Sequence, residues 1–363
     1  MKSSVFVVSM IAVLLLGSVA CSPSAPAAPA STVPSAPAAT TSSTISASGE
    51  KVQWTFSALN EASAAILYFS PIERFQQRME EASNGRFTFK TIVELVPEQD
   101  VVFAIMDGRA DIGVFGAEEL SGTYPALDFG ALPFFFSSGL EYEKAVTDPD
   151  MRRILDRLYL EAGVVYLGQT GTSVLNSIFS DKAIRTVDDF QGLKIRASGL
   201  LPANALKMLG ASPITMGSSE MTEALRRGTV DAALTSIPFG VSLGLADICD
   251  YISLWGLLPC SPVVVAANPT KFNALPDDLK QVLLDVSRDS CREAVYATHI
   301  QYEWAYPSMA GNVMEIIRPE KAQIDNAISI TQPLMDEWLG MSGTDGAEIL
   351  NIAKKYASGA TAN

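Results

Sequence analysis

Residues 104–115 read Ala104-Ile105-Met106-Asp107-Gly108-Arg109-Ala110-Asp111-Ile112-Gly113-Val114-Phe115, and residues 224–235 read Ala224-Leu225-Arg226-Arg227-Gly228-Thr229-Val230-Asp231-Ala232-Ala233-Leu234-Thr235. Gly108 matches Gly228 and Asp111 matches Asp231 at one common offset. Both copies describe a helix that ends on a glycine, the residue that takes the left-handed C-cap most cheaply. An aspartate follows, then a short apolar strand. The lead-ins, 98–106 and 218–227, read as short amphipathic helices. The strands, 112–115 and 232–235, are too apolar for a wet face, which predicts burial in parallel sheets. Open α/β sheets bind ligands beyond the carboxyl ends of their strands. One module per lobe would therefore aim residues 115–118 and 235–238 at a shared cleft, with Phe115, Glu118 and Phe239 as candidate lining residues.

The flanking sequence extends the α/β pattern. Strands are expected at 52–59, 86–93, 164–168 and 193–197. Helices are expected at 62–83, with Pro71 as a kink and Asn84-Gly85 as its stop, at 148–162, and at 201–209, stopped by Gly210. A long helix is expected from Pro276 to about Tyr306, ended by Pro307, and a further helical stretch at 320–339, broken at Pro333. Asn60 follows the first strand, where a ligand would meet a helix N-terminus.

The chain has 363 residues, 48% hydrophobic and 18% charged, which suits a folded protein of two domains. A formal net charge of −14 offers no basic stripe for nucleic acid. There is one histidine, His299, and there is no C-x-x-C, H-E-x-x-H, G-x-S-x-G or G-x-x-x-x-G-K. No catalytic residue, metal or cofactor is expected. Lys2 and the apolar run 5–20 resemble a secretory signal, too short for a membrane span. The run ends at Ser18-Val19-Ala20-Cys21, which resembles a bacterial lipobox and makes Cys21 the candidate lipidation site, although Leu is usual where Ser18 stands. Residues 22–49 are almost all Ala, Pro, Ser and Thr, a composition that cannot offset its chain entropy by burial and reads as a tether. Of the other cysteines, Cys249 and Cys260 could bridge. The alternative, that Cys249, Cys260 and Cys291 are all buried thiols, is slightly favoured.

An ordered set of motifs carries a family resemblance. Thr186-Val187-Asp188-Asp189-Phe190-Gln191-Gly192-Leu193-Lys194-Ile195-Arg196 comes first, then Leu209-Gly210-Ala211-Ser212-Pro213, Glu220-Met221-Thr222-Glu223-Ala224-Leu225 and Gly228-Thr229-Val230-Asp231. Asn84-Gly85-Arg86, Leu132-Pro133-Phe134, residues 261–268 and Leu275-Pro276-Asp277-Asp278-Leu279 fit the same pattern. Together they resemble the substrate-binding subunits of tripartite ATP-independent periplasmic (TRAP) transporters, of the dicarboxylate-binding DctP type, over about 52–306. The resemblance implies a two-lobed, class II periplasmic-binding-protein-like α/β fold with a long helix spanning both lobes. It implies a solute-binding protein, not an enzyme, that captures a small organic anion outside the cytoplasmic membrane and delivers it to permease subunits. On this reading 1–20 is a signal peptide and 21–50 the anchor and tether. Residues 51–173 with 261–301 form lobe I, and 174–260 with 302–363 form lobe II. The expected state is a monomer held at the membrane by a lipid anchor alone.

In that family the Arg ending the G-L-K-I-R strand receives the solute's carboxylate, and here it is Arg196. A guanidinium presents a planar fork of donors that fits a carboxylate bidentately and keeps its charge in a dry cleft. Other positions depart from the family pattern. Thr235, beside Ser236, stands where Asn is common. Asn176 stands where a second Arg is common, and Ser218 where an aromatic lines the cleft. Small polar groups replacing charge and bulk predict a monocarboxylate with a less charged body. An ABC-type or sensory binding protein, or an exported enzyme on the same lobes, are the alternative readings.

Overall fold

The chain divides into two units, Met1–Thr44 and Ile45–Asn363, and the α/β fold belongs to the second. The structure, a computed structural model, describes residues 49–58, 69–172, 176–258, 260, 262–311, 314–359 and 361, with backbone alone for 69–72, 170–172 and 295–311. The signal run, Cys21, the tether and Asn60 lie outside the described residues.

The repeated module folds the same way twice. Gly108 and Gly228 take φ of 82° and 68°, the left-handed region that a side chain resists. The amide of Ala110 reaches back to the carbonyl of Ala104, as that of Val230 does to Ala224. Asp111 donates its amide to the Thr55 carbonyl at 3.0 Å, and its Oδ2 accepts from the Thr55 amide at 2.8 Å. Asp231 does the same with Lys194, at 2.7 Å and 2.9 Å. Each aspartate thus pins the start of its own strand to the adjacent parallel strand.

Around these clamps two sheets form. The strands are β1 (Val52–Ala58), β2 (Phe87–Val93), β3 (Ile112–Gly116), β4 (Val165–Thr172), β5 (Asn176–Ser180), β6 (Lys194–Ala197), β7 (Ser212–Thr215), β8 (Ala232–Ser236), β9 (Tyr251–Leu258), β10 (Pro262–Ala267) and β11 (Glu315–Ile317). Lobe I holds the order β2-β1-β3-β10-β4, and lobe II holds β11-β9-β5-β8-β6-β7. The chain crosses from β4 into β5 and returns from β9 into β10. The sheets are mixed, not parallel as expected. β10 runs antiparallel to β3 and β4, and β5 antiparallel to β8 and β9. A strand that arrives directly from the other lobe, without a crossover helix, enters its sheet in the reverse sense.

The helices are α1 (Phe69–Ala82), α2 (Val101–Met106), α3 (Gly139–Thr147), α4 (Pro149–Glu161), α5 (Leu200–Met208), α6 (Ser218–Arg226), α7 (Ile237–Ser242), α8 (Pro269–Asn273), α9 (Asp277–Gly311), α10 (Lys321–Thr331) and α11 (Pro333–Ala353). α9 packs on α1, α3 and β4 of lobe I and on α7 of lobe II, so one helix spans both lobes. It runs past Pro307, the expected end, to Gly311. A proline deletes a hydrogen bond near a helix end without stopping a helix whose sides are already packed.

The C-terminal helices bridge to lobe I. The helical stretch is interrupted at Pro333 as expected: α10 ends at Thr331 and Pro333 opens α11, where its missing N–H costs nothing at the first helical position. α11 packs chiefly on α3, α4 and the 3₁₀ turn Pro125–Ala131 of lobe I and also touches α5 and α10 of lobe II. Buried Trp338 donates from Nε1 to the Pro125 carbonyl at 2.8 Å, and Tyr356 donates its hydroxyl to Asp148 Oδ2 at 2.8 Å. Gly359 donates its amide to the Phe135 carbonyl at 3.0 Å. Residues 333–359 thus make most of their contacts with elements placed in lobe I. Cys249 and Cys291 are free thiols. Burial pushes the Cys249 and Cys291 thiols up to about 12, which keeps them protonated and unreactive.

Candidate functional site: the cleft around Arg196

Arg196 sits on β6, flanked by β7 and β8, with 5% of its surface exposed. Its Nε donates to the Met216 carbonyl at 3.1 Å and its Nη1 to the Leu234 carbonyl at 3.2 Å. These two bonds fix the guanidinium plane. Among the described residues its hydrogen bonds go to carbonyls and not to a carboxylate, so its charge stays unneutralised by direct pairing. Burial pulls its pKa down from the ordinary value, and the nearby charges of Glu98, Glu118 and Glu119 push it back up.

Around it the structure gathers most of the expected polar residues. Asn176 pairs with Ser236, and Ser177 with Thr235, where β5 meets the C-terminal end of β8. Asn176, Thr235 and Ser236 are all buried. The Ser236 hydroxyl, 2% exposed, has no hydrogen-bond partner among the described residues. Ser218 opens α6, and its amide donates to Glu98 Oε2 at 3.3 Å. Its hydroxyl also donates to Glu98 Oε2. Glu98 belongs to lobe I and Ser218 to lobe II, so this contact joins the lobes.

Phe115 and Phe239 are both packed in apolar cores. Phe115 is fully buried in lobe I, edge-on to Tyr159 with ring centroids 6.4 Å apart. Phe239 is buried among Met221, Ala233, Ile237 and Leu245 in lobe II. Phe115, within β3, and Phe239, in α7 after β8, each extend the core of their lobe.

Glu118 lies in the short 3₁₀ turn after β3. It brings lobe I up against the segment after β6: a Cβ placed on Gly199 would stand 2.9 Å from the Glu118 Cβ. Burial and the nearby Asp128 hold the Glu118 carboxyl well above the usual carboxylate range. Glu119 is pushed up to about 7 by burial and by Glu98 and Asp100, against the pull of Arg196. Asp128 is 1% exposed, its Oδ2 has no hydrogen bond among the described residues, and burial pushes it up to about 8. Glu98, Glu119 and Asp128 were not foreseen. Isolated acids carry no sequence pattern; Glu98 and Glu119 act on Arg196 from lobe I, and Asp128 lies within lobe I near Glu118. Among the described residues no group of three His, Cys, Asp or Glu is placed to hold a metal ion, and no helix is long and apolar enough to cross a membrane.

The profile of the family described as bacterial extracellular solute-binding protein, family 7 (DctP) matches residues 60–340. A Chromohalobacter salexigens solute-binding protein is 23% identical over 225 residues, which is 61% of this chain and 66% of that one. A Nostoc periplasmic protein named for binding monocarboxylate 2-oxoacids is 28% identical over 221 residues, 59% of this chain and 60% of that one. The chain thus spans less than two thirds of the length of these two relatives. Among solved structures, the Bordetella pertussis receptor DctP7, which binds pyroglutamic acid, superposes with a TM-score of 0.78 at 22% identity, over 84% of this chain and 99% of that one. A galactonate-bound sugar acid binding protein from Advenella mimigardefordensis gives a TM-score of 0.78 at 20% identity, over 85% and 99%. These likenesses share the two-lobed fold.

Proposed function

Because the chain belongs to the DctP family of TRAP-type solute-binding proteins, we propose that it captures a small organic carboxylate by closing its lobes on Arg196 and delivers it to a membrane permease. The observation that carries this reading is the buried guanidinium, fixed by two carbonyls and unpaired with any carboxylate among the described residues. A buried cation with spare donors is complementary to one carboxylate. The solutes of the relatives, a monocarboxylate 2-oxoacid and pyroglutamic acid, agree with a single acid anchored this way.

Closure supplies the rest of the mechanism. The Glu98–Ser218 contact and the approach of Glu118 to Gly199 can form only when the lobes are together. A solute that bridges Arg196 on lobe II and the turn after β3 on lobe I adds free energy to the closed form alone, which is the requirement for shifting the hinge. The small polar residues Asn176, Thr235 and Ser236 then orient the solute body. The protein acts as a monomer outside the cytoplasmic membrane, held through lipidated Cys21 and the tether.

A thermal-shift screen of mono- and dicarboxylates on the full chain tests this. A solute at a hundred times its Kd adds about 2.7 kcal/mol to the native state, a shift of roughly 5 °C for a chain of this size. Arg196→Ala is expected to abolish the shift. A hit whose shift survives that substitution would contradict the anchor.

A further inference from the structure

The two repeated modules meet head to head. Glu98 opens the lead-in of the first and Ser218 the lead-in of the second, at the same offset that relates Gly108 to Gly228. Ser218 is also the first residue of α6, a nine-residue helix whose N-cap, Gly217, brings no side chain to that end. The first amides of a helix have no partner within it and attract a carboxylate. Here that carboxylate comes from the opposite lobe. Glu98 Oε2 accepts from the Ser218 amide at 3.3 Å and also from the Ser218 hydroxyl. Gln99 presses on the same point: a Cβ placed on Gly217 would stand 3.7 Å from Gln99 Oε1. Ser218 is buried under these contacts. The same helix end lies beside the solute anchor. Arg196 Nε is tied to the carbonyl of Met216, two residues before Ser218. Two residues of chain span at most about 7 Å, which puts the guanidinium and the Ser218 donors within about 10 Å of each other. That separation is within reach of the two acid groups of a four- or five-carbon dicarboxylate.

Resting on the carboxylate reading above, we infer that Glu98 is a specificity-determining residue: it fills the seat that a second carboxylate of the solute would need, so the closed cleft admits one carboxylate, on Arg196, and turns dicarboxylates away. A monocarboxylate leaves the Glu98–Ser218 contact intact and gains it as the lobes close. A dicarboxylate reaching from Arg196 to the start of α6 must displace Glu98 and so forfeits a contact between the lobes. Discrimination then comes from what the wrong solute has to break, rather than from extra grip on the right one.

Matched acids test the inference by calorimetry on the full chain: butanoate with succinate, pentanoate with glutarate, and 2-oxopentanoate with 2-oxoglutarate. In the wild type the monocarboxylate of at least one pair is expected to bind at least about tenfold more tightly than its dicarboxylate. In Glu98→Ala that ratio is expected to fall by about tenfold or more through a gain in dicarboxylate affinity. Ser218→Ala added to Glu98→Ala is expected to take back part of the gain. Glu98 is half-buried in a turn that holds no fully buried residue, so the alanine variant is expected to fold. If Glu98 only joined the lobes, its loss would weaken both members of a pair alike and leave the ratio unchanged, and that result overturns the inference. So does a wild type that prefers the dicarboxylates, or one that binds neither member of any pair. The thermal-shift screen with Arg196→Ala decides separately whether the carboxylate reading survives.

Discussion

Arg196 was legible because its strand carries an ordered motif, and its chemistry follows from the guanidinium itself. The acids opposite it were not, since a lone Glu looks like a solvated residue until another lobe covers it. Asp128 makes a sharp test of that environment. It is buried without a bond to Oδ2 among the described residues, and its folded-state pKa, about 8, lies above the 3.8 of an ordinary aspartate. A raised folded-state pKa means the native state holds the proton more firmly than the unfolded state. The contribution to stability is therefore full below the ordinary value and is lost as pH rises through the folded one. Glu119, pushed up to about 7, adds in the same direction. Asp128→Asn is expected to leave Tm nearly unchanged at about pH 3.5, to raise it above wild type progressively as pH climbs, and to hold a gain of several degrees beyond about pH 8. Parallel Tm curves for the two proteins would refute a buried neutral carboxyl. The paired aspartates Asp111 and Asp231 give a second prediction. Each bonds an amide that would otherwise lose its partner, so Asp111→Ala and Asp231→Ala should each cost roughly 1–3 kcal/mol in denaturant unfolding. A neutral effect at either site would show that the repeated clamp is incidental there.

Most strands and helices followed from periodicity and from glycine stops, because those signals are local. Gly210, for instance, ends α5 with φ of 94°. What could not be read locally was where an amphipathic element docks. The apolar positions Leu334, Trp338, Ile349 and Ile352 announce a buried face on α11 but not whose core it joins. Trp338→Ala should cost about 3–5 kcal/mol, through lost packing and the stranded Pro125 carbonyl. A loss under about 1 kcal/mol would show α11 to be only loosely docked on lobe I. Pro307 misled for a related reason: chain-breaking residues report local cost, and α9 is held by contacts with both lobes. The segment between β6 and α5 tests closure. Gly199 is extended, so a side chain causes no backbone strain, yet its Cβ would meet the Glu118 Cβ at 2.9 Å. Gly199→Ala is expected to weaken solute binding by about tenfold or more while leaving the ligand-free Tm within about 1 °C. Unchanged affinity would show that the lobes need not approach this closely.

For the whole molecule, two lobes were visible in the sequence because one module occurs twice, and the structure gives both copies the same hydrogen bonds. The mixed sheets were not visible. They arise from the two exchanges of chain between lobes, β4 into β5 and β9 into β10, which a strand-by-strand reading cannot see. Those exchanges, with α9, couple the lobes, while Glu118 after β3 approaches Gly199 after β6. On the proposed reading, capture consists of seating the solute's carboxylate on Arg196 as the lobes close. Calorimetric titration of the tightest-binding carboxylate against wild type and Arg196→Lys tests this most directly, because lysine keeps the charge and removes the planar fork. We expect the substitution to weaken binding by about a hundredfold, corresponding to about 2.7 kcal/mol. Affinities within about twofold of each other would mean that the solute is not held by the Arg196 guanidinium.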